Sequence, residues 1–77
     1  MIKKLADLHV GQSGTIKELH GHGNIMRRLI DMGVVPGTKV NVLKFAPLGD
    51  PVEIKVKNFN LSLRMSEAKT IDVMVEG

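Results

Sequence analysis

The residues best equipped for chemistry gather in one short stretch, His20-Gly21-His22, with Glu18 just before it and Asp31 some way after. On an extended chain, side chains at i and i+2 share a face, so His20 and His22 could begin a divalent-cation site with one of those carboxylates. The set stops there. Along the sequence no acidic cluster completes it, and the glycines leave the backbone loose. His20 and His22 are therefore weak metal candidates that read first as solvated loop residues. No resident metal or cofactor is expected, and a divalent ion held there would be adventitious. Nucleophilic chemistry has less to work with. The chain has no Cys, and Ser13, Ser62 and Ser66 have no His beside them in a recognisable motif. Gly11-Gln12-Ser13-Gly14 lacks both the spacing and the Lys of a phosphate loop. No catalytic residue is assigned and no enzyme is expected. Arg27, Arg28 and Arg64 remain. An Arg supplied in trans can stabilise charge on a partner's phosphates. The plain alternative is that Arg28 covers a helix flank and Arg64 bonds carbonyls at a strand end.

Composition narrows the partners. Eleven Lys plus Arg against eight Asp plus Glu give +3, and aromatic content is 3%. The first 38 residues carry five positive and three negative charges, the remainder six and five, so no basic arm exists. With Phe45 and Phe59 as the aromatics, the chain has no base-stacking platform, and nucleic acid is not expected as a partner. A small basic barrel that binds nucleic acid is kept only as an alternative. Met1-Ile2-Lys3-Lys4 turns charged at once and apolar runs are short, which reads as a soluble cytoplasmic domain. At 77 residues, residues 1–77 are expected to form a single small domain with a thin core.

The elements that position these residues follow from periodicity. Leu5 and Leu8 pack inward from a single turn, and residues 14–19 form a first, imperfectly alternating strand. Asn24 is placed as the N-cap of a helix whose Ile25, Leu29 and Met32 fall at i, i+4 and i+7; Met26 and Ile30 widen that stripe. Gly33 ends the helix and Pro36-Gly37 turns the chain. Lys39 to Phe45 alternates, then switches face near Leu43, which predicts a bulge. Val52 to Lys57 alternates without fault. Asn58-Phe59-Asn60 is read as a turn into Leu61-Ser62-Leu63, and residues 66–69 as a helical turn capped by Ser66. Thr70 to Glu76 alternates again and closes the domain. The expected fold is mainly β: a small SH3-like, partly open barrel of about five strands, with one short helix inserted after the first strand. An OB-like barrel is the nearest competitor.

Two blocks carry a resemblance. Residues 28–38, Arg-Leu-Ile-Asp-Met-Gly-Val-Val-Pro-Gly-Thr, precede Ala46-Pro47-Leu48-Gly49-Asp50-Pro51 and Leu61-Ser62-Leu63-Arg64. Together they closely resemble the FeoA family, small cytoplasmic accessory proteins of bacterial ferrous-iron transport, over Leu5 to Val75. The same core is similar to the C-terminal SH3-like domain of iron-dependent repressors, which keeps a metal-responsive module as a further alternative. The resemblance implies an SH3-like fold and a non-enzymatic role beside the FeoB-type membrane transporter, which carries a cytoplasmic GTP-binding domain. The protein would then be peripheral to the membrane through that partner, with weak self-association as a further expectation.

The hexapeptide is stiffer than a hairpin requires, because Gly49-Asp50 alone would turn the chain. Two flanking prolines hold Leu48 at its tip, either as a presented contact or folded back onto the barrel. A rigid loop has little ordering entropy to lose on binding. The expected partner-binding residues are Pro47, Leu48 and Asp50 of the loop, Met26 and Ile30 of the helix edge, and Arg28 and Arg64.

Overall fold

The computed structural model describes residues 1–75; Glu76, expected as an outward residue of the closing strand, lies outside the described residues. The chain runs β1 (Ile2–Lys4), a 3₁₀ turn (Leu5–Asp7), β2 (Ser13–Leu19), α1 (Gly23–Asp31) and β3 (Lys39–Phe45). It continues through β4 (Val52–Val56), β5 (Phe59–Leu63), α2 (Met65–Ala68) and β6 (Ile71–Val75). The strands form one open sheet in the order β1-β6-β2-β3-β4-β5, with every neighbouring pair antiparallel. This is the expected mainly β, SH3-like architecture with one strand more. The extra strand is β1, so the helix follows the second strand rather than the first. Ile2-Lys3-Lys4 carries no alternation of its own; it becomes a strand by pairing with Met74, Val73 and Asp72 at the far end of the chain.

Alternation places the core. β4 buries Val52, Ile54 and Val56 and turns Glu53 and Lys55 outward; β6 does the same with Ile71, Val73 and Val75 around Asp72 and Met74. Leu5, in the 3₁₀ turn, and Leu8, just after it, are buried in the core, as expected. The register slips between Val42 and Lys44, which confirms the bulge read at Leu43. A second slip lies in β2, between Ile16 and Glu18. Near it β2 and β6 approach so closely that a Cβ on Gly14 would stand 2.5 Å from Val73 Cγ1 and 2.6 Å from the Met74 carbonyl oxygen.

Three local expectations are corrected. Asn24 does not cap α1: Gly23 takes φ +55° to enter the helix, the first carbonyl to accept is that of His22, and Asn24 lies inside. Ser66 does not cap α2, which starts at Met65 behind Arg64. The turn before β5 is Lys57-Asn58, because Lys57 adopts φ +55° and Val56 pairs directly with Phe59. The end of α1 is as expected. Gly33 at φ +85° follows the helix, and its N–H and that of Val34 donate to the Ile30 and Leu29 carbonyls.

Candidate functional site

The β3–β4 loop is the first candidate. Ala46 N–H donates to the Pro51 carbonyl at 2.9 Å and Gly49 N–H to the Ala46 carbonyl at 2.7 Å, so the hexapeptide is closed on itself. Asp50 Oδ1 accepts from the Met65 N–H at 3.1 Å, which ties the loop to the start of α2. Leu48, at the tip, is 97% exposed. Of the two readings, folding back is removed and presentation remains. Pro47 and Asp50 flank it, also exposed.

α2 connects this loop to α1. Glu67 is only 4% exposed, and its carboxylate accepts from the Arg64 N–H at 2.9 Å and from the Arg28 guanidinium. The reach back to Arg64 is half of a capping box. Leu48, Asp50, Arg64 and Arg28 are thereby linked along one rim through Asp50–Met65 and Glu67–Arg28. Arg28 engages Glu67 while remaining about half exposed, and Arg64 is exposed on the same rim.

Met26 and Ile30 lie elsewhere. Two residues along an α-helix turn it by about 200°, which puts them on the flank opposite Arg28. There they line an open depression of about 440 Å³ with His22, Arg27 and Asp31, to which the Leu48 loop contributes nothing. Ile30 is 47% exposed, while Leu29 alone of the helix is fully buried. The expected partner-binding residues are therefore divided between two places.

The histidines also separate. His22 goes to the depression, whereas His20 stands at the end of β2, its N–H donating to the Thr70 carbonyl at 2.7 Å. His20 Nε2 lies 2.7 Å from Asp72 Oδ2 and 3.3 Å from Glu18 Oε2, so two carboxylates do meet it after all. Lys4 Nζ holds Asp72 Oδ1 at 2.6 Å. The Lys4 hydrogen bond, and next that of His20, keep the Asp72 carboxyl below the ordinary range. Glu18 was in view from its spacing to His20. Asp72 was not, being 52 residues away and brought in only by β2–β6 pairing.

The family described as the FeoA domain matches residues 3–75. A fusion protein of Porphyromonas gingivalis, Fe(2+) transport protein A/Fe(2+) transporter FeoB, is 37% identical over 70 residues. That alignment takes in 91% of this chain but only 8% of the relative. The solution structure of FeoA from Chlorobium tepidum superposes with a TM-score of 0.91 at 37% identity, covering 97% of this chain and 71% of that one. FeoA of Stenotrophomonas maltophilia, crystallised with zinc and described as a procaryotic SH3 domain protein, gives 0.76 at 32% identity, covering 99% and 89%. The family match begins in β1 and ends in β6, so it takes in the whole sheet, the stiff loop and both helices: the chain belongs to the FeoA domain family.

Proposed function

We propose that this protein is a non-enzymatic cytoplasmic accessory module of ferrous-iron uptake that docks on the cytoplasmic GTP-binding part of a FeoB-type transporter. The observation that carries the reading is Leu48, a fully presented apolar side chain on a loop hydrogen-bonded at its base and tied to α2. A large apolar residue held rigid in water favours a partner that covers it, because little entropy remains to be lost. The Porphyromonas relative supports the choice of partner, since in it a transport protein A segment and a FeoB transporter are one chain. The Stenotrophomonas protein, put forward as a ferrous iron transport activating factor, supports activation as the consequence of docking. Arg64, exposed just before α2, to which the loop is tied, adds positive charge to the same rim.

The test is a pull-down of the full chain against the isolated cytoplasmic domain of its transporter, run in chelator, beside Leu48→Ala and Leu48→Asp. Capture by the wild type with loss in Leu48→Asp is the expected result. Equal capture of all three would move the interface away from the loop, and no capture of any would remove the docking reading. Activation is tested separately: an unchanged single-turnover GTP hydrolysis rate on adding the protein would reject it.

A further inference from the structure

We propose that Glu18, His20 and Asp72 form a binding site for a first-row divalent transition cation, apart from the docking rim and independent of it. The sheet register is the first ground. Glu18 of β2 stands directly opposite Asp72 of β6. Like charges in that position repel unless a cation lies between or beside them. Lys4, the Asp72 partner on β1, occupies only Oδ1, which leaves Oδ2 turned toward His20 and Glu18.

The β2 bulge is the second ground. Ile16 is buried, and strict alternation from it would send Glu18 into the core. The extra residue, Lys17, shifts the register by one. Glu18 and then His20 consequently share the outer face with Asp72, the kind of re-aiming that bulges perform.

The spacing is the third. Two ligand atoms on a cation about 2.1 Å away stand about 3.0 Å apart at a right angle and about 3.4 Å apart at the tetrahedral angle. The His20 nitrogen lies 2.7 and 3.3 Å from the two carboxylate oxygens, and all three atoms fall within 4.8 Å of one another. Drawing the Glu18 carboxylate, which is on an exposed side chain, in toward Asp72 completes a facial set, the remaining positions going to water. One imidazole with two carboxylates selects borderline cations such as Zn²⁺, Fe²⁺, Co²⁺ or Ni²⁺; Mg²⁺ and Ca²⁺ take sets made of oxygen. With neutral His20, the two carboxylates and Lys4 leave one net negative charge facing the ion.

Zn²⁺ alone is titrated into the full chain by calorimetry, with the ¹H–¹⁵N spectrum followed in parallel and folding of each variant checked by circular dichroism. One equivalent is expected to bind, with the largest shifts at Glu18, His20 and Asp72. His20→Ala removes binding, Glu18→Gln weakens it about tenfold or more, and His9→Ala and His22→Ala leave it within about twofold. The proposal is overturned if no saturable binding occurs below about 1 mM. It is equally overturned if His22→Ala loses as much as His20→Ala, or if Glu18→Gln titrates like the wild type. No transporter is present in this experiment, so its failure leaves the docking reading untouched, and the reverse holds too.

Discussion

Glu67 is the residue whose surroundings constrain the most. A carboxylate this deeply buried is tolerated only when its oxygens are engaged, and both are: one by the Arg64 N–H, the other by Arg28. Arg28 is itself about half exposed, so screening reduces the Coulombic gain of the pair. What Arg28 prevents is an unpaired buried oxygen. Arg28→Ala is therefore expected to lower unfolding free energy by about 1–3 kcal/mol, the penalty for leaving such a group unsatisfied. Arg27→Ala, one residue earlier on an exposed position, stays within about 0.5 kcal/mol. Urea unfolding of both variants checks this, and equal midpoints would show that Glu67 finds another partner. The same contact argues against Arg28 as a group offered to a transporter's phosphates, since donating it would strand Glu67.

Between elements the tightest constraint is the approach of β2 to β6 at Gly14. A methyl there would meet the Met74 carbonyl oxygen at 2.6 Å, and that oxygen belongs to a paired strand that cannot swing aside. Gly14→Ala is expected to cost about 1–3 kcal/mol through forced separation of the strands, measurable as a lowered urea midpoint. Amide exchange in β6 should rise with it, and unchanged protection there would sink the explanation. How far such features were legible follows from whether their cause is local. Val52-Ile54-Val56 and Ile71-Val73-Val75 announce strands because burial on one face is written into their alternation. The Leu43 bulge shows as a change of face within seven residues. β1 and the Gly14 contact do not show, since both depend on β6, nearly the whole chain away. The turn at Lys57-Asn58 was misplaced because its positive φ falls on Lys, where nothing in the composition signals it. The site divides the same way: the loop proclaims itself through its prolines, while the third member of the His20 cluster comes from pairing alone.

For the whole molecule, small size separates framework from function. A stability of 0.05–0.15 kcal/mol per residue gives this chain roughly 4–12 kcal/mol in total. Leu29 is the one fully buried side chain of α1, so it is what fixes the helix, and with it Arg28, onto the sheet. Leu29→Ala should remove about 2–5 kcal/mol, a large share of everything the fold has. Leu48 touches so little of the protein that Leu48→Ala should leave stability within about 0.5 kcal/mol. On the proposed function the two variants then fail differently. Leu48→Ala melts like the wild type but loses affinity for the transporter domain; Leu29→Ala melts far lower yet binds whatever fraction stays folded. Thermal unfolding and binding measured on the same two samples decide it. If affinity falls only in step with stability, Leu48 is not an anchor, and the rim is simply the edge of a fold with no material to spare.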